Sequence, residues 1–101
     1  EMIMKVLVVV DMQNDFINGS LGSKEAVQIV PNVINKIKEY EDNNDLIIYT
    51  KDTHFENYLD TLEGKNLPVK HCIKGTKGHE IPDSILRGHD VIFEKLTFLS
   101  F

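Results

Sequence analysis

Five consecutive β-favouring apolar residues, Val6-Leu-Val-Val-Val10, run directly into Asp11, with Asp15 and Phe16 close behind. An unbroken apolar run offers no polar side to water. It suits a strand covered on both faces, the usual condition of a parallel sheet. In open α/β sheets, ligands collect outside the carboxyl ends of the strands. Asp11 stands at such an end. The run therefore asks for an α/β layer structure and marks one carboxylate for chemistry.

The pattern recurs twice. Leu46-Ile-Ile-Tyr-Thr50 reads as a second buried strand, followed at once by Lys51-Asp-Thr-His54, and Asp90-Val-Ile-Phe-Glu94 as a third that carries Lys95 at its end. Between the first two, residues 12–24 form a turn-rich loop with Asn14, Asn18, Gly19 and Gly22. Val30, Val33, Ile34, Ile37 and Tyr40 then recur at helical spacing, which predicts a helix from about Glu25 to Asn43. Proline is comfortable only in a first turn, so the regular helix is expected to begin near Pro31.

Residues 55–80 show no sustained period. Their apolar and aromatic content (Phe55, Tyr58, Leu59, Leu67, Ile73) predicts an ordered, functional segment rather than disorder. Pro82–Arg87 is expected to form a short helix. Crossovers of these lengths suit parallel strands, and right-handed connections bring all three carboxyl ends to one edge. Asp11, Asp52, His54 and Lys95 are thereby expected to meet.

Composition removes several classes of function. The 101 residues suit a single domain spanning 1–101, and a net charge of −5 offers no surface for phosphates, so no nucleic-acid partner is expected. No apolar run approaches the roughly 20 residues of a membrane span, and no signal-peptide pattern opens the chain. Cys72 is the single cysteine, which excludes an internal disulfide and suits a reducing compartment; a cytoplasmic location is the expectation. Gly75-Thr-Lys-Gly78 lacks the spacing of a phosphate-binding loop. His79 and His89 have no partner at ligand spacing and read as solvated side chains. Asp15 reads as a loop-fixing residue that bonds to backbone.

Four segments in order, Asp11-Met-Gln-Asn-Asp-Phe16, Lys51-Asp-Thr-His54, Leu67-Pro-Val-Lys-His-Cys-Ile-Lys-Gly-Thr-Lys-Gly78 and Glu94-Lys-Leu-Thr-Phe98, resemble the isochorismatase-like cysteine hydrolases, and among them the nicotinamidase-related amidases. The resemblance implies an α/β fold: a parallel sheet with flanking helices in a Rossmann-like three-layer arrangement, here truncated to about three strands. This chain looks like the N-terminal half of such an enzyme and lacks the family's nucleophilic cysteine, so by itself it is expected to be inactive. An open first-strand edge left by such truncation predicts association with another copy, a homo-oligomer, or else poor stability of the chain alone.

The resemblance also assigns roles. Asp11 is implied to be the base that takes the thiol proton and Lys95 the cation beside it, a pairing whose opposing effects of charge and burial tune a carboxylate. Phe16 matches a position that packs against a planar substrate ring. Asp52, His54 and His71 match metal positions, and a carboxylate with two imidazoles is a ligand set acceptable to a divalent metal, zinc first. The implied substrate is a small C–N amide such as nicotinamide, cleaved through a cysteine thioester. Three departures stand out: Thr53 where many zinc-bearing relatives have tryptophan, Asn57 and Tyr58 where some have a further histidine, and Leu96 where proline is commoner. The open alternatives are another hydrolase of the family with a different substrate, a non-enzymatic metal-binding or interaction module, and Cys72 as a substitute nucleophile. Cys72 itself reads better as a buried small hydrophobe.

Overall fold

A computed structural model describes residues 4–86 and 91–96. The apolar runs become β1 (Val6–Val10), β2 (Leu46–Thr53) and β3 (Val91–Leu96), with helices α1 (Asn14–Ile17), α2 (Lys24–Asp42) and α3 (Leu62–Asn66) between them. The sheet is parallel throughout, in the order β1-β2-β3. Its register aligns Val8 with Ile48 and Val91, Val10 with Thr50 and Phe93, and Asp52 with Lys95.

Alternation along each strand gives the sheet two unlike faces. Leu7, Val9, Ile47 and Tyr49 face α2 and join Ile37, Ile81 and Ile85 in the core, with Val30, Val33, Ile34 and Tyr40 packed around them. The Tyr49 hydroxyl donates to the Ile85 carbonyl at 3.0 Å, so the one phenol in this core is satisfied. Val6, Val8, Val10 and Phe93 lie on the opposite face and stay 49–58% exposed. Asp52 and Lys95, two of the candidate site residues, lie at the carboxyl end of that second face.

Helix α2 starts well before Pro31, contrary to the expectation of a start beside the proline. Ser23 caps it by accepting the Ala26 N–H at 3.0 Å, which nucleates the first turn. Pro31 therefore lies inside the helix and deletes the bond to the Val27 carbonyl. Both residues are on the exposed side, so the freed carbonyl is not left in the core. The stripe Val30, Val33, Ile34, Ile37 keeps the helix in place from the other side.

Three further boundaries differ from the sequence reading, and the segment 55–80 is ordered as that reading expects. In that segment, 3-10 turns at Tyr58–Asp60 and Lys77–His79 flank α3. The loop after β1 contains the single turn of α1. Pro82 starts only a hydrogen-bonded turn, its carbonyl accepting from Ile85 and Leu86, rather than a helix. His89 and Asp90 lie outside the described residues. Finally, β2 runs on to Thr53 and β3 to Leu96, placing Asp52 and Lys95 inside strands rather than beyond them. The cause is pairing: β3 accompanies β2 as far as Thr53, whereas β1 stops opposite Thr50.

Candidate active site and metal centre

Asp11 is the first residue beyond β1 and takes a left-handed backbone conformation, with φ of 52°. Aspartate is among the few non-glycine residues that tolerate this region. The turn aims its carboxylate back over the sheet. There Oδ1 accepts from the Thr50 hydroxyl at 2.7 Å and Oδ2 from the Lys95 ammonium at 2.8 Å. The Asp11 N–H is held in turn by the Thr50 carbonyl and hydroxyl oxygens, both at 3.1 Å. The hydrogen bond to Asp11 holds the Lys95 ammonium above the usual lysine range, outweighing the opposite pull of burial.

Asp52 is the cross-strand partner of Lys95, so the next group adjoins this pair on the same face. His54, two residues on, points the same way, and its Nε2 lies 2.9 Å from Asp52 Oδ2. His71 arrives from the long connection. A parallel bridge between His54 and Ile73, with His54 N–H donating to the Cys72 carbonyl at 2.9 Å, draws that segment alongside. His71 Nε2 then lies 3.7 Å from Asp52 Oδ2.

One ligand atom from each of Asp52, His54 and His71 falls within 4.8 Å of the other two, and both imidazoles are buried. His71 Nδ1 lies 2.7 Å from the Val69 carbonyl. A carbonyl only accepts, so Nδ1 carries the proton and Nε2 presents its lone pair to the cluster. This outer hydrogen bond is the one that fixes a ligating histidine. The donor set fits zinc or another divalent transition ion.

Aromatic rings wall the cluster. Phe16 meets His71 edge-on at 5.5 Å between centroids, and Tyr58 lies 4.6 Å from His54 and 5.0 Å from His71. The Tyr58 hydroxyl is directed away, donating to the Leu67 carbonyl at 2.7 Å. Burial, then Glu63 and Asp52, raises its proton affinity further, so it serves as packing and not as an ionised ligand.

All six residues singled out from the sequence thus converge: Asp11 with Lys95, then Asp52, His54 and His71, with Phe16 against His71. Sequence reasoning missed others. Gln13 is fully buried; its side-chain amide donates to the carbonyls of Asp52 at 2.8 Å and His79 at 2.7 Å and accepts from the Asp52 N–H at 2.8 Å. Glu63, in the first turn of α3, brings Oε2 to 3.9 Å from His54 Nδ1. Neither has a spacing signal, because each reaches the site through a loop fold. His79, read as solvated, is buried. An imidazole with a hydroxyl and a carboxylate beside it need not remain in water.

Asp15 does fix the loop. Its Oδ2 accepts the Cys72 N–H at 2.8 Å, and a Cβ at Gly78 would overlap its carboxylate, so only glycine admits this approach. Cys72 is fully buried. Burial first, then the carboxylates of Asp52, Asp15 and Asp11, push its thiol up to about 12. A thiolate is the reactive form, so Cys72 makes a poor nucleophile at neutral pH. A maleimide reagent at pH 7 should leave Cys72 unmodified in the folded protein and modify it fully in denaturant. The unfolded thiol ionises near 9 while the folded one does not, so stability should decline as pH rises beyond that value. Rapid native labelling at pH 7 would restore Cys72 as a nucleophile.

Comparison with known proteins identifies the family. Residues 5–101 match the family model of the Isochorismatase domain. The chain is 30% identical over 103 aligned positions to a nicotinamidase of Schizosaccharomyces pombe, a match covering 78% of this chain and 46% of that protein. Among solved structures, it resembles a pyrazinamidase of Pyrococcus horikoshii in complex with zinc, with TM-score 0.76 and 36% identity over 91% of this chain and 51% of that one. An N-carbamoylsarcosine amidase from Thermoplasma acidophilum gives TM-score 0.79 and 32% identity, covering 92% of this chain and 52% of that one. The chain spans about half the length of these relatives.

Proposed function

Because the chain belongs to the Isochorismatase domain family, we propose that it carries the base, the cation and the metal ligands of a nicotinamidase-type amidase. The observation that supports this most is the Asp11–Lys95 pair at 2.8 Å, adjoining the Asp52-His54-His71 cluster at one sheet end. The substrate is a small, flat C–N amide.

In this reading Asp11 takes the proton of a cysteine thiol and Lys95 stabilises the thiolate. Sulfur adds to the amide carbon, the C–N bond breaks, and ammonia leaves with the proton returned from Asp11. Water then hydrolyses the thioester, releasing the acid and restoring the thiol. The reading assigns the thiol to a residue other than Cys72, so it comes from outside these 101 residues. By themselves they are expected not to turn over. Phe16 supplies a ring edge for the substrate, and Asp52, His54 and His71 would hold a divalent metal. When bound, a divalent ion there supplies positive charge to hold a ring nitrogen or a water near the scissile amide.

Cobalt(II) tests this without needing catalysis. One equivalent should bind and give visible d–d bands, and nicotinamide should shift those bands through its pyridine nitrogen. The likeness to the N-carbamoylsarcosine amidase favours a second reading, a different small amide. That compound has no pyridine nitrogen, so bands that ignore nicotinamide would favour it. No cobalt binding at all would remove the metal from the proposal.

A further inference from the structure

Beneath the site, on the α2-facing side of the sheet, lies a second polar group that the proposed chemistry does not use. Thr53 falls between Asp52 and His54, so strand alternation turns it to the opposite face. Glu94 precedes Lys95 and turns away for the same reason. The Thr53 hydroxyl donates to Glu94 Oε1 at 3.0 Å and meets His79 Nε2 at 2.8 Å. With its proton committed to the carboxylate, Thr53 Oγ1 accepts from His79, so Nε2 carries the imidazole proton. That Nε2 is also 3.2 Å from Glu94 Oε1, while Glu94 Oε2 is 3.4 Å from the Lys74 ammonium.

Each link has a physical consequence. Burial would raise the Glu94 carboxyl, but the bonds from Thr53 and Lys74 bring it below the ordinary range, so it stays an acceptor. Burial holds His79 below its usual range, so it stays a neutral single donor. The His79 carbonyl takes the Gln13 amide at 2.7 Å, and Gln13 follows Asp11 by two residues. His79 therefore touches the segment after β1, the end of β2 and the end of β3. Those are the three places that carry Asp11, the Asp52-His54 pair and Lys95.

We propose that Thr53, His79 and Glu94 act as a positioning brace that sets Asp52 and His54 against Lys95 from the reverse face of the sheet. This assignment deepens the amidase reading and rests on it for the roles of the braced residues. Parallel strands that end without a further partner can shift or splay. A chain of hydrogen bonds across β2 and β3, buried at Thr53–His79 and part-buried at Thr53–Glu94, resists that movement, and bonds in series reinforce one another.

The test compares Thr53→Val, which keeps shape and loses the hydroxyl, with Thr53→Ser, which keeps the hydroxyl. His79→Phe and His79→Gln form a second pair. Two readouts are taken on folded protein: cobalt(II) affinity, and the alkaline titration midpoint of Lys95 followed by NMR after reductive methylation, with Lys95→Arg identifying the signal. The brace predicts that Thr53→Val and His79→Phe weaken cobalt by roughly 10- to 100-fold, the usual scale for residues that orient ligands. It also predicts that the Lys95 midpoint falls toward the ordinary lysine value, and that Ser and Gln restore both. Folded Val and Phe variants with the wild-type Lys95 midpoint would overturn it, even if their melting temperatures drop. If wild-type protein binds no cobalt, the metal reading fails alone, and the Lys95 midpoint still decides the brace.

Discussion

Protein carrying both Asp52→Ala and His54→Ala should contain no stoichiometric metal by elemental analysis, whereas the unaltered protein should contain close to one zinc, iron or manganese per chain. The three ligand atoms lie within 4.8 Å of one another, and Asp52 is the only carboxylate among them. The double variant leaves the His71 imidazole alone, with no anionic donor. The loss should exceed the roughly 10- to 100-fold cost of disturbing an outer-shell partner. Because ligands must be deprotonated to bind, the metal should also be released as the solution is acidified. Unaltered protein free of metal under reducing, chelator-free purification would move the reading to a metal-independent amidase.

The second large effect is on stability. Gln13→Leu should destabilise the domain by about 3 kcal/mol or more, measured as a drop in the urea midpoint. The reason lies in the register. β1 stops opposite Thr50, so the β1-facing edge of Asp52 has no strand beside it. The Gln13 amide stands in for the missing peptide, satisfying the Asp52 N–H and carbonyl and the His79 carbonyl together. Leucine fills the space and leaves the buried His79 carbonyl and the part-buried Asp52 N–H and carbonyl without the amide, at about 1–3 kcal/mol each. Against a typical domain stability of about 5–15 kcal/mol, that is a large fraction. A midpoint within experimental error of wild type would mean that water replaces the amide. Gln13→Glu should rescue only in part, because a carboxylate accepts the Asp52 N–H and repels the two carbonyls.

These two cases also separate what could be read from residue order from what could not. The strand cores, the parallel arrangement and the convergence of Asp11, Asp52, His54 and Lys95 follow from local pattern plus handed crossovers, both of which act over short stretches. The helix start at Ser23 was carried by a cap that the proline obscured. His79 was misread because burial is a property of neighbours. Its partners Thr53 and Glu94 lie 26 residues upstream and 15 downstream in the numbering, with no period connecting them.

Residue order was enough for a parallel α/β sheet whose strand ends carry carboxylates, imidazoles and a lysine, because apolar period and strand alternation are encoded residue by residue. The folded sheet end added what residue order did not carry: the Thr50 hydroxyl on Asp11, the burial and the carboxylates that push up the Cys72 thiol, and the support that Gln13 and the Thr53-His79-Glu94 group give the site from behind. Those outcomes depend on strand register and on loops folded over distance, where a hydrogen bond of 2.8 Å is set by the packing of the whole sheet end.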